Sequence, residues 1–213
     1  NLHPAKVRIE PEQPMMRYLH YNNGSELYYF VNESAGPYCG VITISTEGPC
    51  YVYNAWDNRL ETANIKQMTG GRTEFSVCIE QRKSLIIVFD KTEVQLHEPL
   101  TAQGECRKLT DGWSRSICKA IDYPQFGTGR LVSLPDVLEM EQPDFGGFVK
   151  YEQEITLPGV WQAVLEITGE TEGVEVFVNG ISAGIQIVPT YRFDITEWLR
   201  VGKNRIVIET ATT

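Results

Sequence analysis

Twenty-eight Asp and Glu residues stand in this chain, and hydrolysis by a pair of carboxyl groups needs two of them, one with a raised pKa to act as acid. So many acids guarantee chance pairs, and number alone decides nothing. In the strand-like stretches Glu74, Glu80, Glu152, Glu154, Glu175 and Glu209 alternate with apolar neighbours, the pattern of a solvated outward face. No nucleophile constellation is visible either. There is no Gly-x-Ser-x-Gly elbow, and His3, His20 and His97 are too scattered in sequence to suggest a triad. Gly127-Thr-Gly129 lacks the third glycine of a dinucleotide loop, and Gly70-Gly71 and Gly146-Gly147 read as turns. The chain is expected to carry no catalytic centre and no organic cofactor.

Recognition is the chemistry that remains. Trp113, Tyr123, Phe126, Phe145 and Tyr191 fall in loop-like stretches. Rings there can stack on the C–H face of a pyranose while Asn, Asp, Arg and Tyr side chains bond its hydroxyls. They can equally close the end of a core, and both uses stay open. Trp56 and Trp161 lie in strand-like contexts and read as core; Trp198 reads as packed beneath a short turn. Asp57 and Asp194, with backbone carbonyls, could supply the oxygen ligands of a structural Ca²⁺, although no EF-type loop is present.

The five cysteines (Cys39, Cys50, Cys78, Cys106 and Cys118) include no Cys-x-x-Cys pair, so zinc is not expected. Cys106 and Cys118 could bridge a loop, reduced thiols being the alternative. Cys78, in the alternation Phe75-Ser76-Val77-Cys78-Ile79, reads as a small half-buried thiol. Asn23-Gly-Ser and Asn32-Glu-Ser match the glycosylation sequon.

The formal charge is −9, with Lys and Arg unclustered. Nucleic acid is therefore not an expected partner, because phosphate binding needs a basic patch. No apolar run approaches the roughly 20 residues of a membrane-spanning helix. The first residues, Asn1-Leu2-His3-Pro4, carry neither an initiator Met nor a leader pattern, and the chain reads as cut from something longer or processed.

The elements that must position these side chains are strands. Glu26–Asn32, Cys39–Ser45, Cys50–Ala55, Glu74–Gln81 and Ser84–Asp90 show strand patterning, separated by Gly, Asn and Pro clusters. Leu85–Phe89 is apolar on both faces and belongs at a sheet centre. Glu98–Lys108 is polar, with Pro99 and Gly104, and marks a boundary. Beyond it, Leu109–Asp144 looks irregular, with one helical hint at Leu134–Met140. Strands resume at Phe148–Thr156, Trp161–Thr168 and Gly173–Asn179. Asn179-Gly180 specifies a hairpin, and Gly184 opens an apolar run of Ile185, Ile187 and Val188. Asp194 and Thr196 can cap a helical turn at Glu197–Val201, which Gly202 ends. No window of helical period persists, so an all-β protein is expected.

Glu175-Val-Phe-Val-Asn-Gly180, Gly184, Pro189, Tyr191, Phe193-Asp-Ile-Thr196 and Gly202-Lys-Asn204 together resemble the jelly-roll sugar-binding domain of family 2 glycoside hydrolases. The same module recurs in large bacterial α-L-rhamnosidase-like hydrolases. Pro143–Pro158 looks like that module's entry strand, with Trp113 near the module's start. In the other half, ELYYFVNES (26–34), YNAWDNRLETANI (53–65) and FSVCIEQRKSLIIVFD (75–90) resemble the β-sandwich that precedes the jelly roll in rhamnosidase-like hydrolases. Asn58-Arg59-Leu60-Glu61 departs from that pattern, in which Pro and Gly follow Trp-Asp.

The resemblance implies two β-sandwich domains, an immunoglobulin-like accessory one over 1–103 and a galactose-binding-like jelly roll over 104–213. It further implies a C-terminal, non-catalytic and carbohydrate-binding part of a bacterial glycoside hydrolase, secreted, periplasmic or on the cell surface. Its partner would be glycan or the parent enzyme's catalytic domain, with neither nucleic acid nor membrane. The rival reading is a stand-alone carbohydrate-binding or adhesion module.

Overall fold

A computed structural model of the chain describes residues 6–55, 58–99, 104–159, 162–169 and 171–212. Trp56, Asp57 and Trp161 lie outside the described residues. Strands make up 54% of the structure and helices 5%, so the all-β expectation holds. The chain divides into two compact units, Asn1–Leu100 and Thr101–Thr213.

The first unit contains β1 (Val7–Glu10), β2 (Met16–Asn22), β3 (Glu26–Asn32), β4 (Tyr38–Ile44), β5 (Cys50–Asn54), β6 (Arg59–Thr62), β7 (Ile65–Thr69), β8 (Arg72–Ile79) and β9 (Ser84–Phe89). They form two antiparallel sheets, ordered β1-β4-β8-β7 and β2-β3-β9-β5-β6. Period-2 alternation sends Tyr28 and Phe30, Ile42 and Ile44, Phe75 and Ile79, and Ile87 and Phe89 into one shared core. Each such burial stabilises by about 1.5–3 kcal/mol. β9 lies at the centre of its five-stranded sheet, and Val88, on the other face, is buried as well.

Asn32, at the end of β3, is fully buried. Its amide donates to the carbonyls of Gly36, Ile79 and Glu80, and its Oδ1 accepts from the Ser34 N–H and hydroxyl. That web fixes the turn into β4 and leaves no free amide for glycosylation, so of the two sequons only Asn23 is exposed.

The cysteines correct the sequence reading. Cys39 and Cys78 face each other across β4 and β8, on the solvent side, and are joined as a disulfide. Cys78 is therefore neither half-buried nor a thiol. Cys106 is exposed, Cys118 is buried, and both are free. The spacing of 106 and 118 suggested a loop bridge, but Cys118 stands inside a strand with its thiol directed at the Lys119 carbonyl.

The second unit contains β10 (Trp113–Lys119), β11 (Arg130–Val132), α1 (Leu138–Glu141), β12 (Gly147–Leu157), β13 (Val164–Ile167), β14 (Gly173–Val178), β15 (Ile181–Gln186), β16 (Tyr191–Asp194) and β17 (Gly202–Thr212). Short 3₁₀ turns occupy Ala120–Asp122 and Thr196–Trp198. A six-stranded sheet, β11-β10-β12-β17-β14-β15, and the pair β13-β16 enclose a core of Trp113, Val174, Val176, Val178, Tyr191, Phe193, Ile195, Ile206 and Ile208. The spine is the ladder of β12 and β17, paired from Gly147↔Thr212 to Leu157↔Gly202.

Two expectations change here. Leu109–Asp144 is not wholly irregular, since it holds β10 and β11. The helical hint at Leu134–Met140 shrinks to the single turn α1. The apolar run after Gly184 stands open to solvent, with Ile185 near the end of β15 and Ile187 just beyond it 64% and 63% exposed.

The residues that carried the family resemblance turn out to lock turns. Asn179 (φ 53°) and Gly180 (φ 87°) form the β14–β15 hairpin in the left-handed region that Asn and Gly tolerate. The Asn179 amide donates to the Trp198 carbonyl and to Asn204 Oδ1, while its own oxygen accepts from the Arg205 N–H. Asn204, fully buried, also donates to the carbonyls of Arg200 and Gly202 and accepts from the Arg200 N–H.

Candidate functional site

The sheet face of the second unit that points away from its core is built by alternation. Phe148, Lys150 and Glu152 on β12, Arg205, Val207 and Glu209 on β17, and Glu175 and Phe177 on β14 share it through the pairings Lys150↔Glu209 and Glu175↔Glu209. After β10 the chain turns at Ala120–Asp122 and doubles back across this face. The Gly127 N–H donates to the Ile117 carbonyl at 3.0 Å, which fixes the loop. Tyr123 thereby lies against Phe148, with ring centroids 4.3 Å apart, and meets Phe126 edge-on at 6.0 Å. The Lys150 ammonium stands 4.4 Å above the Phe126 ring, a cation–π contact.

Polar groups ring these aromatics. The Tyr123 hydroxyl donates to Glu209 at 3.1 Å, and the Ser182 hydroxyl donates to Glu175 at 2.9 Å. Partial burial raises the Tyr123 pKa, with the Glu209 charge and hydrogen bond adding to the shift, so the phenol stays protonated and donating at neutral pH. Tyr123 remains 43% exposed. An exposed ring beside two carboxylates and an ammonium is a set that suits a pyranose, with C–H groups on the ring and hydroxyls bonded to charged acceptors and a donor.

Of the five rings singled out in the sequence, the structure brings Tyr123 and Phe126 together. Trp113 and Tyr191 are 1% and 0% exposed. The Trp113 indole N–H donates to the Leu109 carbonyl and the Tyr191 hydroxyl to the Thr171 carbonyl, so neither ring has a face for a ligand, and both belong to the core. Phe145, after α1, is half-buried. Phe148, Lys150, Glu175 and Glu209 were not singled out as binding residues. Their signal was the outward phase of each strand, but only the cross-strand register shows that they converge.

A second cluster concentrates charge. Arg115, 5% exposed on β10, donates to Asp136 at 2.8 Å and to Glu141 at 2.6 Å. The Tyr151 hydroxyl donates to Asp136 at 2.7 Å, and Arg130 lies 3.1 Å from Glu141. Burial pushes Asp136 upward, but the hydrogen bonds from Tyr151 and Arg115 outweigh it and hold its carboxyl below the ordinary range. The hydrogen bond from Arg115 lowers Glu141. A glycosidic general acid needs the opposite shift. This pair is a clamp that pins the 130–141 segment to the sheet.

Elsewhere the perturbed carboxylates Glu26, Asp90 and Glu152 are likewise lowered. Asp194 accepts from the Thr196 N–H in an Asx-type turn, while the helical turn expected at Glu197–Val201, capped by Asp194 and Thr196, is a 3₁₀ turn at Thr196–Trp198 that follows Ile195 and has no side-chain cap. Among the described residues no three His, Cys, Asp or Glu side chains are placed to hold a metal ion.

No family model matches the sequence, and no curated protein sequence matches it. Among solved structures, a rhamnosidase from Novosphingobium sp. PP1Y aligns with 99% of this chain at a TM-score of 0.79 and 20% identity. The matched part is 21% of that protein's chain, so this chain spans about a fifth of its length. An FMN-binding beta-glucuronidase from Facaelibacterium prausnitzii L2-6 aligns with 49% of this chain and 17% of its own at 20% identity, with a TM-score of 0.40 that carries no argument. At such identity the first likeness is one of fold, and it extends over both units.

Proposed function

We propose that this chain is a non-catalytic accessory module of a glycoside hydrolase, and that its second unit contacts glycan through the Tyr123 cluster. The observation that carries the reading is the alignment of essentially the whole chain with one fifth of a rhamnosidase. A two-sandwich unit occupying that share of a hydrolase leaves the chemistry to the remaining length. The electrostatics agree, since the perturbed carboxylates are held ionised, the state of a hydrogen-bond acceptor and not of a catalytic acid. Rhamnose-containing glycans rank first as ligands, with galactosides and glucuronides behind.

One ring and a few polar groups should bind weakly, at roughly millimolar to tens of micromolar Kd. Calorimetric or NMR titration with rhamnose- and galactose-containing oligosaccharides tests the reading. Saturable binding that falls at least about tenfold in Tyr123→Ala, a loss of some 1.4 kcal/mol, supports it. Binding that Tyr123→Ala and Phe126→Ala leave unchanged places the glycan elsewhere. No binding to any glycan leaves the module as a buttress for a catalytic domain.

A further inference from the structure

We infer that strand β2 is a self-association edge, through which two copies of the chain pair antiparallel about a two-fold axis at Leu19. β2 closes one side of the five-stranded sheet and pairs only with β3, from Met16↔Asn32 to Asn22↔Glu26, without a register shift. The Glu33 N–H donates to the Met15 carbonyl and the Asn23 N–H to the Ser25 carbonyl. Odd-numbered residues of β2 therefore turn their backbone groups toward β3. By the strand's period of two, the N–H and C=O groups of Tyr18, His20 and Asn22 point to the open edge.

Such an edge is a template for another strand, and folded proteins commonly blunt it. Other edges of this chain show such devices. β1 is four residues long and runs into Pro11, while β7 carries Lys66 and an irregular register at Ile65–Gln67. β6 is covered by the His97 segment, whose N–H and C=O bond Leu60 and Thr62. β11 is three residues and β13 and β16 are four each. β15 is interrupted at Gly184 (φ 115°), opposite a register shift. β2 has seven residues, no proline, no lysine and no bulge. It leaves Tyr18, Leu19 and Tyr21 at 44%, 68% and 61% exposure.

The occupant follows from the strand's own complementarity. With the dyad at Leu19, each Tyr18 opposes the second copy's His20, and both are residues whose backbone groups face the edge, so each such pair can exchange two hydrogen bonds. On the outer face Leu19 meets its symmetry mate. Arg17 falls opposite the second copy's Tyr21, a cation–π partner in place of a like charge. A register displaced by one residue would put the dyad between Leu19 and a neighbour and set inward-facing backbone groups against outward-facing ones, while a displacement of two, with the dyad on Tyr18 or His20, keeps the hydrogen bonds but parts Leu19 from its symmetry mate and Arg17 from Tyr21.

Sedimentation equilibrium of the 213-residue chain, from micromolar to submillimolar concentration, reads the outcome. The weight-average mass should climb from 24.1 kDa toward twice that value. Hydrogen exchange should slow with concentration at the amides of Tyr18, His20 and Asn22, and not at Arg17, Leu19 or Tyr21, which already bond β3. Tyr18→Pro removes an edge donor without touching the β3 ladder and should hold the chain monomeric. Should that variant fail to fold, Leu19→Lys on the solvent face serves the same purpose. Ile185→Lys, on β15, should leave the dimer intact. A chain that stays at 24.1 kDa throughout, a dimer that survives Leu19→Lys, or one abolished by Ile185→Lys overturns the inference.

Discussion

Asn204 makes four hydrogen bonds from a fully buried side chain, one with the Asn179 amide and three with backbone groups of the turn Arg200–Gly202. Asn204→Ala strands those groups away from water, which costs about 1–3 kcal/mol for each one left unpaired. A clear loss of stability is expected in urea unfolding, and a midpoint within error of the parent would contradict it. At the hairpin, a side chain on Gly180 meets no atom within 4 Å, but it must accept φ 87°. Gly173 has ordinary φ and only van der Waals neighbours, the nearest at 3.8 Å. Gly180→Val should therefore cost at least about 1–2 kcal/mol more than Gly173→Val, seen as a Tm several degrees lower. Equal melting temperatures would refute it. The sequence announced these residues as turn formers, because Asn-Gly and Gly-x-Asn are local signals. It did not announce the bond between Asn179 and Asn204, which depends on two turns 25 residues apart meeting in space.

β10 shows why one element escaped a reading that found most of its neighbours. Its sequence, Trp-Ser-Arg-Ser-Ile-Cys-Lys, lacks apolar alternation because the inward position after Trp113 is Arg115. A guanidinium is acceptable there only because Asp136 and Glu141, 21 and 26 residues on, fold back to it. Strands with conventional inward positions, such as β3, β9 and β14, were legible within a residue or two. Arg115→Met leaves Asp136 without its cation in a site where the Asp136 side chain is 8% exposed. The expected cost is about 3–5 kcal/mol, measurable by denaturant unfolding of the second unit; a loss below 1 kcal/mol would show the clamp idle. The same clamp sets an acid limit. The folded pKa of Asp136 is depressed, so its stabilisation is complete above the ordinary carboxylate value near 4. It is lost as pH falls through the lower folded value. Asp136→Asn should flatten the fall in Tm below about pH 4, and an unchanged acid slope would assign that limit to other groups.

The chain is built as two units with separate cores, and among the described residues no buried side chain belongs to both. The order of strand signals and turns in the sequence carried the fold class of both, since alternation is local and each sheet is antiparallel. The convergence of Tyr123, Phe148, Lys150 and Glu209 was not legible, because it rests on β12–β17 register and on a loop doubling back. The division that the resemblance implied, 1–103 and 104–213, makes a direct forecast. Each segment expressed alone should give a cooperative melt and dispersed amide resonances, and a molten 104–213 segment would argue against an autonomous second domain. The isolated chain should also release no nitrophenol from a panel of aryl α- and β-glycosides. Turnover that persists through repurification and disappears with one Asp or Glu substitution would assign it chemistry of its own.

The Cys39–Cys78 bridge lies on the solvent side of β4 and β8, two strands already zipped together along seven residue pairs. A thiol reagent can reach the sulfurs without first opening the core, and the ladder holds both strands in place once they are parted. The bond should therefore follow the redox state of its surroundings: closed under oxidising conditions, and open under reducing ones on the same fold, two mass units heavier by intact mass spectrometry. The covalent state of a preparation then reports the medium it last met, without any assay of what it binds.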